Sequence, residues 1–563
     1  MDILTLTGAF LVGTAVTVPA IYLFSWLTGS MLWATISVSI LWIVVLSKIK
    51  LKKIRLETSS TLLLLFSLTF SSWMMFKTFH GDTSGQLFVG SNNVFDFGHA
   101  LGIIRSFSWG SNIPMTSPFE SGTPFFYHFF FYFWVAIWEY FGIPTVWAMN
   151  IPSVLSFTAL LIVIYYLPQI IAKQKPFVGW IAVLLTITNS SLTFWKIIGH
   201  RDIWRLPTYP FAGPFDGSTI SIFVTLNNYV NQRHLAFAVA LGLFLFLLAA
   251  GSLGKRKASW NKDIILGIFT GLLVGWNMVV YLFIGAVISL LLIVHRRWKR
   301  FFTYVSISAI VGFLFMVPIV GFLSTAPKFI GLLLASRGGL MEPSWHIVDY
   351  LWQNLGFLPL AAGIGILALP KKIRIIFSPF VVGFFLICLF AAVGKRGFEQ
   401  KSYSFFIIGI NVLAAIGIGW LWRRVKVAAV IFMFILTVSG FVDLIPIKNE
   451  FAFPLVDADT VPLITWIRDS TPKDAVFVSY SDMIDPVVLA GRKNYFGFFG
   501  NIRWYDRSPE VAKIYAGDVM LAKARGVSYI LAPKWEKTDF RYKIQLDLPV
   551  RYEDARYTVF AVE

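Results

Sequence analysis

The sequence predicts a polytopic α-helical membrane protein of about 13 transmembrane helices, closed by an extracytoplasmic α/β domain at its C-terminal end. Three observations carry that prediction. Apolar side chains make up 57% of the 563 residues and charged ones only 14%, with 55 Phe, 21 Trp and a mean hydropathy of +0.71, more lipophilic surface than a water-soluble domain needs. Short basic clusters punctuate the apolar stretches, as they do in cytoplasmic loops. Finally, residues 446–563 carry 16 basic and 16 acidic side chains, whereas residues 1–445 carry 32 basic against 13 acidic. The net charge of +19 therefore belongs to the membrane part and is topology charge, not a nucleic-acid patch. A single Cys excludes a disulfide scaffold, a thiolate metal cluster, an iron–sulfur site and thiol redox chemistry.

Taken in order, residues 3–28 and 31–47 form a hairpin that enters the first basic cluster, Lys48 to Arg55, so the amino terminus is cytoplasmic. This start has neither the basic opening nor the small-residue cleavage site of a signal peptide. Residues 58–78 lead out, and 145–171 return to Lys173 and Lys175. That leaves the aromatic run 124–141 with no crossing available, and its Phe, Tyr and Trp content suits an interfacial or half-inserted helix. Four further basic clusters stand at Lys255 to Lys257, His295 to Arg300, Lys371 to Arg374 and Arg423 to Lys426. Between them the apolar stretches pair: 262–294, long enough only for two short helices, then 301–322 with 347–369, and 375–394 with 403–422. A last span at 425–445 puts 446–563 outside.

The membrane domain, 1–445, then has outer loops at 79–144, 195–230 and 323–346, and loops of that length are usually functional. In the tail, Val461 to Asp469 and Pro509 to Tyr515 read as helices. Ala475 to Ser479, Val527 to Ala532 and Tyr557 to Val562 read as strands. No Gly-rich phosphate loop, nucleophile elbow or metal-spaced His pair occurs there.

With only 13 carboxylates in the membrane part, each can be weighed. Asp2, Glu57 and Asp263 fall at cytoplasmic ends, where a solvated flank is the expected role, and Glu139 ends the interfacial helix. The first outer loop holds the densest polar group: Asp82 as the chain leaves its span, then Asp96, His99, Arg105, Glu120 and His128. A helix over 95–107 brings Asp96 and His99 to one face and rests Ile103 and Ile104 on the bilayer. A carboxylate at the lipid boundary is partly desolvated, which suits it to accept a proton. The competing role for Asp96 is to cap that helix beside Asn92 and Asn93.

The second outer loop offers Arg201 and Asp202, then Arg233 and His234 at the head of the next span. Basic side chains beside aromatics at a membrane surface fit a lipid-linked phosphate as well as ordinary head-group contact. Arg337, Lys395 and Arg396 also lie outside, against the cytoplasmic bias of the other basic residues, and an anionic ligand on the outer face would account for them. Seven His residues make no HExxH and no i, i+4 pair. Asp82, Asp96, His99 and His128 are the side chains left to hold a divalent ion, should one take part. The sequence itself establishes neither a metal nor a cofactor.

The run from Asp96-Phe97-Gly98-His99 through Arg105 to Asn112-Ile113-Pro114, followed by Gly122-Thr123-Pro124-Phe125-Phe126-Tyr127-His128, resembles the first outer loop of membrane glycosyltransferases with the GT-C fold. Ile464 to Val476, Gly491-Arg492-Lys493 and Gly526 to Ile530 are similar to pieces of the extracytoplasmic domain of such enzymes. The resemblance covers most of the chain in layout but only these short stretches in sequence. It implies a polyprenyl-phosphate sugar as donor, a glycan, lipid or protein acceptor on the outer face of the cell membrane, and a catalytic Asp or Glu in the first outer loop. Asp96 best matches that acid and Asp82 is second. Lys395, Arg396 and Arg337 would then neutralise the departing phosphate, and His99, Arg105, Glu120, His128, Arg201, Asp202, Arg233 and His234 would bind substrate. The chain lacks a WWDYG-type segment, which argues against transfer of whole glycans to Asn, and its amino-terminal hairpin departs from the simplest layout. A transporter or flippase of a lipid-linked substrate is the alternative. It predicts repeated halves and charged or broken helices at mid-membrane, which the sequence does not display. A non-catalytic scaffold or sensor would leave the outside basic groups unexplained.

Overall fold

The computed structural model describes residues 2–48, 57–90, 94–125, 127–188, 191–192, 194, 203–205, 224–253, 260–320, 352–392, 399–449, 452–480, 484–497, 507–534 and 544–562. Among these, seven helices are long and apolar enough to cross a membrane, and four shorter apolar helices accompany them. The chain is a multi-pass membrane protein whose helices form one bundle, with a sheet-bearing unit at the C-terminal end.

Helices α1 (Ile3–Thr28) and α2 (Met31–Ser47) make the expected amino-terminal hairpin, capped where Asp2 and Ser30 accept from the backbone N–H groups of Thr5 and Trp33. After α3 (Thr58–Thr78) come strands β1 (Phe79–Gly81) and β2 (Leu87–Gly90), then α4 (Val94–Ser108) and α5 (Phe130–Tyr140). The long helix α6 (Thr145–Ala172) and α7 (Pro176–Ile187) meet at the Lys173 turn. Helices α8 (Val224–Asn231) and α9 (Arg233–Ser252) follow. The stretch read as two short helices is α10 (Trp260–Trp276) and α11 (Met278–Val294), broken at Asn277, whose side chain caps α11. Then come α12 (Trp298–Val320), α13 (Leu358–Ala368), α14 (Lys371–Ala392), α15 (Glu399–Arg424) and α16 (Lys426–Asn449).

Small residues let these helices approach closely, as lipid-embedded packing requires. In α10, a Cβ at Gly267 would sit 2.9 Å from the Ile307 Cβ of α12, and one at Gly271 would sit 2.7 Å from the Val311 Cβ. One turn on, Gly275 receives the ring of Phe130 from α5. Helix α5 is therefore wedged inside the protein. Phe130 also packs edge-on against Trp276 and Phe315, and the residues from Phe130 to Ile137 are buried. The aromatic run was expected to lie at the membrane interface as one helix over 124–141. Its helical part is shorter, and its rings face protein because α1, α9 and α10 offer them closer packing than lipid does.

Past the bundle, β3 (Ala452–Val456) pairs antiparallel with β2, which pairs with β1 in turn. The rest of the C-terminal unit is α17 (Val461–Ser470), β4 (Val476–Val478), α18 (Pro486–Leu489), β5 (Lys493–Asn494), α19 (Ser508–Tyr515), α20 (Val519–Ala524), β6 (Tyr529–Pro533), β7 (Val550–Glu553) and β8 (Tyr557–Ala561). Its five-stranded sheet runs β5-β4-β6-β8-β7, with β4 parallel to β5 and β6 and the remaining pairs antiparallel.

The C-terminal unit is docked along the connection between α3 and α6. The backbone N–H groups of Asn494 and Gly497 donate to the carbonyls of Pro118 (2.9 Å) and Phe119 (2.7 Å), and Ser121 N–H donates to Asn494 O (2.8 Å). Lys493 Nζ donates to Thr116 Oγ1 at 2.9 Å, and Arg507 Nη1 to Ser121 O at 3.0 Å. Gly491, with φ of +77°, lies against the last turn of α4. Helix α4 packs on α5 as well as on this unit, and Ile103 and Ile104, expected to rest on the bilayer, are instead fully buried in protein. Asp263 likewise departs from its expected solvated role. It is 1% exposed and holds Arg300 through Nε (3.0 Å) and Nη2 (2.8 Å), because a carboxylate in an apolar helix start needs a cation when the neighbouring helices exclude water.

Candidate functional site

Asp96 stands in the first turn of α4, past the cap position, where the helix amides favour negative charge. Its carboxylate acts electrostatically on the phenols of Tyr127 and Tyr132. Burial pushes the Tyr127 hydroxyl above its ordinary value, and the Asp96 charge pushes it further, so this phenol keeps its proton within reach of the carboxylate's field.

Around this pair the side chains gather from three elements. His99, one turn beyond Asp96 and buried, stacks on Phe119 at 5.0 Å and meets the Tyr127 ring edge-on at 5.0 Å. The ring of Tyr127 stacks on His128 at 4.0 Å, and His128 lies 4.3 Å from His234. His234, at the head of α9, has its Nδ1 2.8 Å from the hydroxyl of Tyr132 on α5. Beside it Arg233 lies over the Phe97 ring at 5.3 Å, next to Asp96 in the chain. The Arg233 guanidinium is fully buried and donates to Val230 O, Thr78 Oγ1, Asn150 Oδ1, and the sulfur and carbonyl of Met75. It thereby pins the start of α9 to α3 and α6.

The structure thus brings together Asp96, His99 and His128 of the first outer loop with Arg233 and His234 at the head of α9. Others stand apart. Asp82 is exposed and organises its own turn: Ser84 N and Oγ and Gln86 N and Nε2 all donate to it at 2.7–3.0 Å, and the Ser84 hydroxyl leads in lowering its pKa. Arg105 is buried beneath the C-terminal unit, where Nη1 donates to Leu489 O (2.8 Å), Nε lies 3.6 Å from Glu139 Oε1, and the guanidinium covers Trp109 at 4.2 Å. Glu120 is buried in the loop that docks on β5, with its N–H donating to Ser117 Oγ. Arg201, Asp202, Arg337, Lys395 and Arg396 lie outside the described residues. Among the described residues no three His, Cys, Asp or Glu side chains gather closely enough to hold a metal ion.

Two members of the cluster, Tyr127 and Tyr132, were not singled out by the sequence. Their run reads as an aromatic belt, and the available signal was that these two carry a hydroxyl among Phe residues, a group that needs a partner once buried.

No family model matches this chain, and no curated protein matches its sequence. Solved structures do match its fold. The arabinofuranosyltransferase AftD from Mycobacteria aligns with a TM-score of 0.53 at 13% identity, over 89% of this chain and 40% of that one, so the present chain spans well under half of AftD. ArnT from Cupriavidus metallidurans, bound to undecaprenyl phosphate, aligns with a TM-score of 0.49 at 10% identity, over 89% of this chain and 98% of that one. The chain has the GT-C fold of membrane glycosyltransferases.

Proposed function

We propose that this GT-C-fold protein transfers a sugar from a polyprenyl-phosphate-linked donor to an acceptor on the outer face of the cell membrane, with Asp96 as the base. The observation that carries this reading is the convergence of Asp96 with Tyr127, Tyr132, His99, His128 and His234, at one end of the bundle and between the first long connection and the head of α9. A lipid-linked donor keeps its tail in the bilayer and its phosphate at the interface, so chemistry on it belongs where helices end. In this reading the acceptor oxygen attacks the anomeric carbon as Asp96 takes its proton. The bond from that carbon to the phosphate oxygen breaks, and polyprenyl phosphate departs with the electron pair. Direct displacement by one base inverts the sugar carbon.

Tyr127 and Tyr132 orient the Asp96 carboxylate, and His234 holds Tyr132 in place through their 2.8 Å hydrogen bond. Lys395, Arg396 and Arg337 are the candidate cations for the leaving phosphate. The reading sets residues 1–445 as the membrane domain, with a cytoplasmic amino terminus, and 446–563 as an extracytoplasmic domain over the site. The test is sugar transfer by the purified protein from a panel of polyprenyl-phosphate sugars, beside Asp96→Asn and Asp82→Asn. Transfer lost in Asp96→Asn, by about 10²- to 10⁴-fold with donor binding intact, supports the assignment. Loss in Asp82→Asn alone moves the base, and movement of substrate across liposomes without transfer replaces the enzyme with a transporter.

A further inference from the structure

The end of the bundle opposite the Asp96 cluster carries a second feature. Helix α9 begins with Arg233 and His234 at the candidate site and ends at Ser252. Twenty residues at about 1.5 Å each make it roughly 30 Å long, the thickness of a bilayer core. At that far end a cleft of 490 Å³ opens between α1, α9 and α10. Its walls are apolar, with Val12, Leu245, Leu248, Ile265 and Phe269 along them. Gly251 lines it, and a Cβ built there meets no atom within 4 Å, so a side chain at this position would have room to enter.

The polar end of the cleft is positively biased. Asp263 is its one acidic lining residue, and that charge is cancelled by Arg300, which also donates to Ser252 Oγ at 2.6 Å. Lys262 then stands exposed at the rim. Arg297 reaches the same end of α9, where its Nη2 donates at 3.3 Å to the carbonyl of Leu253, the residue after Ser252 of the cleft lining. Trp298, 51% exposed, is a side chain of the kind that settles at a membrane–water interface.

We propose that this cleft binds an anionic phospholipid of the leaflet opposite the candidate site, an acyl chain lying along the apolar walls and the head-group phosphate resting on Lys262 and Arg297. A zwitterionic lipid would bring a cation of its own to a rim that already carries two. Each basic side chain at a membrane surface is worth about fivefold in affinity for an anionic lipid. This inference stands apart from the glycosyl-transfer reading and does not need it.

The test uses the full chain in nanodiscs of equal phosphatidylglycerol and phosphatidylcholine, released into mild detergent, with retained lipids counted by native mass spectrometry. The expected result is phosphatidylglycerol retained at least fivefold over phosphatidylcholine. Lys262→Glu should abolish that preference while lipid is still retained. Gly251→Leu should expel lipid of both kinds, and the helix accepts leucine better than glycine. Gly285→Leu, at another open glycine on α11, should behave as the parent protein does. Equal retention of the two lipids by the parent protein, or a preference that survives both cleft variants, overturns the proposal. So does displacement of phosphatidylglycerol by equimolar polyprenyl phosphate.

Discussion

Replacing Gly491 with Ala should loosen the joint between the C-terminal unit and α4. Gly491 has φ of +77°, and an added Cβ would lie 2.5 Å from Arg105 O and 2.9 Å from Trp109 Cβ. The left-handed backbone costs a non-glycine residue about 1–2 kcal/mol. Overpacking adds about 1–3 kcal/mol, since neither a backbone carbonyl nor a Cβ can swing away. The structure supplies its own control in Gly526, whose φ is +68° but where a Cβ would meet nothing within 4 Å. Gly526→Ala therefore bears the backbone cost alone, and the clash at Gly491 is the difference between the two variants. That difference should speed opening of the joint by roughly 5- to 150-fold. Hydrogen exchange followed by mass spectrometry reads it at the amides of Ser121, Asn494 and Gly497, whose bonds cross the joint. Equal exchange at these amides in the two variants would refute the reasoning.

Three further outcomes are expected. Tyr132→Phe removes the hydroxyl bonded to His234, costing about 1 kcal/mol in melting of the protein. It should lower kcat for sugar transfer more than it raises KM, and a pure KM effect would mean that Tyr132 binds substrate instead. Glu139→Ala strands the buried Arg105 and removes the acceptor of Ser108 and Thr145, each 2.5 Å away, so stability should fall by about 3–5 kcal/mol; an unchanged melting temperature contradicts the ion pair. Glu510 is held below its ordinary pKa of 4.5 by Arg525 first and then by Tyr495. Because the folded-state value is the lower one, its contribution is present above pH 4.5 and fades as pH falls through the lowered value. Thermal melts from pH 7 to 3 should accordingly steepen below pH 4.5 in the parent protein and less so in Glu510→Gln, and parallel profiles would remove Glu510 from the account.

Local pattern made much of this architecture legible. The helices between basic clusters, the hairpin at 3–47, the break within 262–294 and the helices and strands at 461–470, 476–478, 508–515, 529–533 and 557–561 follow from hydropathy and periodicity, signals that live within a few turns of chain. What local pattern does not carry is which face of an apolar segment meets protein and which meets lipid, because both are equally greasy. That is why α5 and the Ile103 and Ile104 face of α4 were assigned to the bilayer and are buried in protein instead. The same blindness applied to charge. Asp263 and Glu139 sit at helix ends where solvation is the ordinary expectation, and only their distant partners, Arg300 and Arg105, reveal them as internal pairs. Asp96 and His99 stood out by density along the chain, whereas their meeting with His234 required α9 to fold back beside α5.

The position of Asp96 is set from both ends of one short helix. At its first turn, α4 faces Tyr127 and Tyr132, and these rest on His128 and His234 from the membrane bundle. About 14 Å further along, at its last turn, Arg105 and Trp109 are tied to Leu489 and Arg492 of the C-terminal unit. The Gly491 contact leaves no slack there, and strand β3 pairs with β2 just ahead of α4, so the C-terminal unit holds the helix at two points in sequence. A unit attached only through α16 would be free to sway above the membrane. Held in this way, it cannot shift without moving α4, and moving α4 carries Asp96 away from its phenols. The C-terminal unit is therefore part of what positions the candidate base, whatever it does for the acceptor.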